Sequence, residues 1–331
     1  MDNILFLGAG SWASALSYSL SVKGIASTMW HRNSLIIESM MESRIHYLIP
    51  SLELPSNISF TSDIVSAIRK SNIIIIAIPS QSIRLLLNEN KDFFSSEKII
   101  VNVSKGIEND SLMTVSQVIK DVLGDEYSKI VTLSGPSHAE EVIKSNPTTL
   151  VAASDDKISA KKIQSIFSSK YLRTYISKDI IGVELGGSIK NVIAIASGIC
   201  DGIGYGDNTK AALLTRGISE ITNLGITMGA KSHTFQGLSG IGDLIVTALS
   251  KHSRNRKVGE EIGRGNTLES ILSKMNMIAE GVKSSISVNQ LKIKYNVEMP
   301  ICDAIFNILF KDKNPKKSVF ELMARELKIE E

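Results

Sequence analysis

ILFLGAGSWASALSYSLSVKG, residues 4–24, is the stretch that decides the fold. An apolar run stops at Gly8, a serine opens a helical pattern, and that pattern stops at Gly24. Strand, glycine turn and helix in that order are the setting a dinucleotide fingerprint requires. Gly8 suits the tight turn, Gly10 lets the backbone approach a pyrophosphate, and Ala13 stands where a third small residue packs helix on strand. The amino terminus of the helix then offers free N–H groups and partial positive charge to an anion.

Outward from this unit, short β-branched runs alternate with helical patterns. Strands are predicted at 3–7, 26–30, 72–78, 99–103, 130–133, 149–153 and 172–176, and helices at 11–23, 63–70 and after Pro79. Such alternation predicts parallel strands joined by crossover helices. The unbroken apolar run IIIIAI, 73–78, suits a strand covered on both faces. An NAD-selective site places an acid roughly 20 residues beyond the fingerprint, on the ribose hydroxyls. Here His31 and Arg32 stand at that point, which accommodates a 2′-phosphate and favours NADPH over NADH.

Beyond Lys178 the β-branched bursts give way to long helical stretches, as in 191–200 and 210–228. The fold class is therefore α/β, a Rossmann-like doubly wound sheet over 1–178 followed by an all-α domain over 179–331. A length of 331 residues agrees with two domains, and 43% hydrophobic with 21% charged residues suits a chain that buries cores. A net charge of +3 argues against nucleic acid, and the basic runs 251–257 and 311–317 read as solvated faces. The two cysteines, Cys200 and Cys302, are far apart and lack metal-ligand spacing, so no metal is expected and a reducing, cytoplasmic setting fits. The amino terminus lacks a secretory pattern, and the longest purely apolar stretch, 73–79, is well short of the roughly 20 residues of a membrane span. No motif sets the oligomeric state; a homodimer is compatible with the chain.

Several segments set glycine, lysine, aspartate and arginine side by side where elements should be finishing. They are SKG (104–106), SGPSHAEEV (134–142), GVELGGSIKNVIAIASGICDGIGYGDNTKAALLTRG (182–217), GLSGIGDLIVT (237–247), SRNR (253–256) and EG (280–281). In number and order these motifs resemble those of the bacterial-type NAD(P)-dependent glycerol-3-phosphate dehydrogenases, from the first strand to about Pro300. The resemblance implies reversible reduction of dihydroxyacetone phosphate to sn-glycerol 3-phosphate for glycerophospholipid synthesis. It implies that Lys190 is the acid and base, with Asp243 accepting from it and holding it in place, and that Lys105, Gly135, Ser137, Asp243, Ser253, Arg254 and Asn255 contact the substrate. Gly8, Gly10, Ser11, Trp12, His31, Arg32, Lys105, Ala139, Arg254, Ile278 and Glu280 would then contact the dinucleotide.

The residue chemistry agrees with these roles. Ketone reduction needs a proton for the developing alkoxide, and a lysine supplies one near neutrality only where burial or a second cation lowers its pKa; Lys105 is the neighbour expected to help. Gly186 and Gly187 are read as opening the helix that aims Lys190 at the cleft. Ser253, Arg254 and Asn255 give a planar cation and polar donors in succession, as a phosphate requires. Two rivals stand beside this reading: a β-hydroxyacid dehydrogenase with the same two-domain plan, which would grip a carboxylate, and, in a different class, a dinucleotide-sensing regulator. The conjunction of Lys190, Asp243, Arg254 and Asn255 argues against the second, since a sensor needs no proton donor.

Overall fold

The computed structural model describes residues 2–275, 278–327 and 329–330. Strand β1 (Ile4–Leu7) leads into helix α1 (Ser11–Val22), then β2 (Ser27–Trp30) and α2 (Ser34–Ser43). A small antiparallel hairpin follows, β3 (Ile45–His46) and β4 (Ile49–Glu53), and then β5 (Ile58–Thr61) and α3 (Ile64–Lys70). The chain continues through β6 (Ile73–Ile76), α4 (Ile83–Asn90), β7 (Ile99–Asn102), α5 (Val115–Leu123) and β8 (Ile130–Ser134). After the four-residue α6 (Ala139–Val142) come β9 (Thr148–Ala153), α7 (Lys157–Phe167) and β10 (Leu172–Ser177).

The main sheet has the order β10-β9-β8-β7-β6-β1-β2-β5. Its apolar runs are explained by burial on both faces. Phe6, Ile73 and Ile75 enter one hydrophobic cluster, while Leu5, Leu7, Ile74 and Ile76 enter the opposite one. Strand order reverses between β1 and β6, the switch point beside which ligands bind at the carboxyl ends of the strands.

Two features depart from the sequence reading. β9 runs antiparallel to β8, so the sheet is not wholly parallel. A parallel return needs a crossover that travels back along the strand. Between β8 and β9 the only helix is α6, four residues long and so about 6 Å, too short to span a strand of five residues. The hairpin and edge strand β5 were also absent from the sequence reading, being only two to five residues long.

After β10 the chain is helical. The elements are α8 (Ile180–Ile203), α9 (Asp207–Thr227), α10 (Ser232–Phe235), α11 (Asp243–Leu249), α12 (Arg254–Gly263), α13 (Leu268–Ser273), α14 (Glu280–Tyr295), α15 (Pro300–Phe310) and α16 (Pro315–Met323). Helix α8 is long and apolar enough to cross a membrane, but 94% of its apolar window is buried against the rest of the molecule. It is the core helix, packed by α9, α11, α12 and α14.

Helix α8 begins earlier than its sequence suggested. Asp179 caps it, accepting from the N–H of Gly182 at 3.0 Å. Gly186 and Gly187 therefore lie inside the helix, not at its start, at a cost of about 1 kcal/mol each relative to alanine. Close packing explains them. A Cβ at residue 186 would stand 2.6 Å from the Ser239 carbonyl oxygen, and one at 187 would stand 2.8 Å from Ser134 Oγ. The bare backbone lets α8 touch both the turn that leads to Asp243 and the end of β8.

Glu184, one turn earlier, ties the helical half to the sheet. Its carboxylate accepts from Asn102 Nδ2 at 3.0 Å, Thr132 Oγ1 at 2.8 Å, and the N–H and hydroxyl of Ser116 at 3.0 and 2.6 Å. Four donors compensate a buried charge that has no ion-pair partner among the described residues.

Candidate active site

The site is assembled where β1, β2, β6, β7 and β8 end. Gly8 follows β1 with φ +123°, in the region that favours glycine, and a Cβ there would collide with the Ala77 carbonyl. Gly10 is the N-cap of α1 and supplies no capping side chain. Seven other helices do carry a side-chain cap, from Asn33, Asp63, Asp156, Asp179, Ser253, Thr267 and Asn314. At α1 the first N–H groups, including those of Ser11 and Trp12, are left to an external acceptor, and open space lies beside Gly10.

Trp12 packs against the cluster containing Ala139, which joins two of the predicted cofactor residues. Trp12 Nε1 and Ser134 Oγ are buried without a hydrogen-bond partner among the described residues, as groups reserved for a ligand would be. His31 is half-buried after β2 and lies edge-on to Tyr47, with ring centroids 5.8 Å apart. Arg32 is exposed, and no carboxylate occupies the end of this strand. These residues fit a dinucleotide, with an anion at the helix terminus and the Arg32 guanidinium beside the His31 ring at the ribose end.

The second cluster is a chain of charges. Lys190, 4% exposed on α8, donates to Asp243 Oδ1 at 2.6 Å and to the hydroxyl of Thr247. Lys105, on the loop after β7, donates to Asp243 Oδ2 at 2.7 Å and to the Gly135 carbonyl at 3.1 Å. Ser137 donates to that same carbonyl at 2.9 Å. Asp243, 1% exposed, thus bridges two ammonium groups brought by different halves of the chain.

Burial pulls the Lys190 ammonium down to about 7; Asp243 resists this and Lys105 adds to it. For Asp243, burial pushes upward, but Lys105 and Lys190 outweigh it and hold the carboxyl below its ordinary value. A buried amine poised near neutrality and held in one orientation can both give and take a proton.

Asn255, beside Arg254, donates to Asn191 Oδ1 at 2.9 Å, and Asn191 directly follows Lys190. The same Asn255 accepts from the N–H of Gly281 at 2.9 Å, fixing the start of α14. Ser253 caps α12 by accepting from Arg256 at 3.2 Å, so its oxygen is partly committed to the helix while its O–H stays available. Arg254 is exposed at the first turn of α12, and its guanidinium has no hydrogen-bond partner among the described residues. Glu280 and Glu140 are its charged neighbours. Glu280 also accepts from Ser80 Oγ at 3.2 Å, bringing the start of α14 to the loop after β6. Ile278 lies just before it, 51% exposed.

Four contributors escaped the sequence reading. Thr247 follows Asp243 by one helical turn, a spacing that could have revealed it. Asn191 adjoins Lys190 and was equally open to suspicion. Glu184 and Ser80 carry no local signal, because their partners lie 52 to 200 residues away.

Residues 3–160 match the model for the NAD-dependent glycerol-3-phosphate dehydrogenase N-terminus, and residues 179–320 match that for the C-terminus. The chain is 47% identical over 330 residues to a glycerol-3-phosphate dehydrogenase [NAD(P)+] of Salinibacter ruber, covering 99% of this chain and 96% of the relative. It is 46% identical to the Carboxydothermus hydrogenoformans protein of that name, with 99% and 98% covered. A crystal structure of glycerol-3-phosphate dehydrogenase from Coxiella burnetii superposes with a TM-score of 0.93 at 32% identity, covering 98% of this chain and 99% of that one. D-mandelate dehydrogenase, at 13% identity and a TM-score of 0.63, shares the fold alone. The chain belongs to the NAD-dependent glycerol-3-phosphate dehydrogenase family.

Proposed function

We propose that this protein catalyses the reversible reduction of dihydroxyacetone phosphate to sn-glycerol 3-phosphate, with residues 1–178 holding NADPH in preference to NADH and residues 179–331 holding the substrate. The observation that carries the reading is the Lys190 amine, buried on Asp243 and Thr247 with its pKa pulled to about 7. When bound, the nicotinamide dinucleotide supplies or accepts the hydride. Lys190 in its ammonium form gives its proton to the ketone oxygen as alkoxide character develops, and the neutral amine takes that proton back from the C2 hydroxyl in the reverse direction. Asp243 and Thr247 orient the amine, and burial, with a smaller contribution from Lys105 on the other carboxylate oxygen, keeps its pKa low.

Arg254 grips the phosphate with its unpaired guanidinium, aided by Asn255, the Ser253 hydroxyl and the free N–H groups that open α12. Gly135 and Ser137 line the substrate end beside Lys105. On the cofactor side, Gly8, Gly10, Ser11 and Trp12 take the pyrophosphate, His31 and Arg32 the ribose end, and Ala139, Ile278 and Glu280 complete the wall. The absence of a carboxylate after β2 supports the preference for NADPH. The two buried free thiols, Cys200 and Cys302, support a reducing cytoplasm as the working compartment. The product would feed glycerophospholipid synthesis.

The test is oxidation of NADPH and NADH followed at 340 nm, with dihydroxyacetone phosphate against small keto acids. Activity confined to keto acids would overturn the substrate assignment. Lys190→Ala is expected to lose roughly 100- to 10,000-fold in turnover while nucleotide affinity survives, and undiminished turnover would remove its role.

A further inference from the structure

We propose that His46, on the β3–β4 hairpin, is a positioning residue for the dinucleotide site, holding the Ala9–Gly10 peptide so that the Gly10 N–H points at the cofactor pyrophosphate. The inference rests on reading residues 8–13 as a pyrophosphate loop.

The His46 side chain is fully buried, which is unusual for an imidazole in a two-residue strand. Its hydrogen bonds identify the tautomer. Nδ1 accepts from the N–H groups of Leu48 and Ile49 at 3.1 and 3.0 Å, so the ring proton is on Nε2. Nε2–H therefore donates to the Ala9 carbonyl oxygen, 3.1 Å away and 37 residues distant in sequence.

The consequence follows from peptide geometry. In a trans peptide the carbonyl and the following N–H point in opposite directions. With the Ala9 oxygen drawn back toward His46, the Gly10 N–H faces the other way, and it has no intramolecular acceptor among the described residues. A Cβ at residue 10 would meet open space, so the backbone beside this N–H is uncovered. The hairpin is itself anchored, because Ile49, Leu52 and Leu54 pack in the cluster that contains Ala9, Ala13 and Leu16. One side of the imidazole is thus tied to the hairpin turn and the other to the glycine loop.

Two substitutions separate these bonds. In His46→Asn the amide oxygen takes the place of Nδ1 and can still accept from the turn, but no donor reaches Ala9. In His46→Gln the amide nitrogen takes the place of Nε2 and can still donate to Ala9, but the acceptor for the turn is lost. Full-length proteins are titrated with NADPH and with NADH by nucleotide fluorescence, and melted without nucleotide. His46→Asn is expected to raise the nucleotide Kd on the order of tenfold, and His46→Gln to stay within about threefold of wild type while melting lower. The KM for dihydroxyacetone phosphate at saturating nucleotide should be unchanged in both. Wild-type affinity in His46→Asn, or equal weakening in both variants, overturns the proposal. A wild-type protein that binds neither nucleotide overturns the cofactor reading and this inference with it.

Discussion

Replacing Asp243 by asparagine removes the one charge shared by both site lysines. The Lys190 Nζ to Asp243 Oδ1 distance is 2.6 Å. At that separation the Coulomb attraction is about 6 kcal/mol for an effective dielectric of 20 and about 1.6 kcal/mol in a water-like medium. Even the smaller figure corresponds to about one pKa unit. Lys190, now at about 7, should therefore titrate at least about one unit lower in the variant, because burial and Lys105 would act unopposed. The assay is kcat/KM for dihydroxyacetone phosphate across pH 5 to 9, on protein shown to be folded. Reduction needs the ammonium, so its rate falls as pH rises through the Lys190 pKa. In Asp243→Asn that fall should begin at least about one pH unit earlier. The variant should also lose about 3–5 kcal/mol of stability at pH values where Lys190 is charged, since the buried Lys190 and the part-buried Lys105 lose their counter-ion. Asp243 has a folded pKa below its ordinary value, so its stabilising contribution is present above about 4 and fades as pH falls through the folded value. The stability gap between the two proteins should narrow in acid accordingly. A profile that stays put or moves to higher pH would refute the reasoning.

Arg254→Ala should raise the KM for dihydroxyacetone phosphate by roughly 10- to 100-fold, the loss of charge-assisted hydrogen bonds, with kcat much less affected. An unchanged KM places the phosphate elsewhere. Arg32→Asp should cut the ratio of NADPH to NADH activity by on the order of tenfold or more, as a carboxylate repels the 2′-phosphate and accepts from a free ribose hydroxyl. A constant ratio would make Arg32 a solvated loop residue. Glu184→Gln leaves one acceptor oxygen for donors that now use two and turns an amide toward them; a loss of roughly 2–4 kcal/mol in denaturant unfolding is expected. Wild-type stability would show that the carboxylate does not tie the helical half to the sheet.

The glycine loop and the apolar strands were legible because their causes are local. Residues 4–7 and 73–76 are apolar throughout since both faces of the sheet are covered, and Gly8 is needed at a positive φ whatever else the chain does. Lys190, Asp243 and Arg254 could be singled out through the motifs around them, and Asp243 was expected on Lys190, yet no motif conveys that Lys105 takes the other oxygen of that carboxylate. The direction of β9 was misread for the same kind of reason: alternation reports that strands exist, while the length of the connecting helix decides which way the next one runs.

By itself, then, the sequence determined the element types, the phosphate-ready turn and the identities of the groups available for chemistry, all properties of neighbouring residues. Tertiary structure alone decided which of them meet. Lys105 reaches Asp243 across 138 residues, Lys190 across 53, and His46 reaches the glycine loop across 37. Proton affinity in a buried site depends on the charges and solvent within a few ångströms, and those neighbours are set by packing between distant segments rather than by any local pattern.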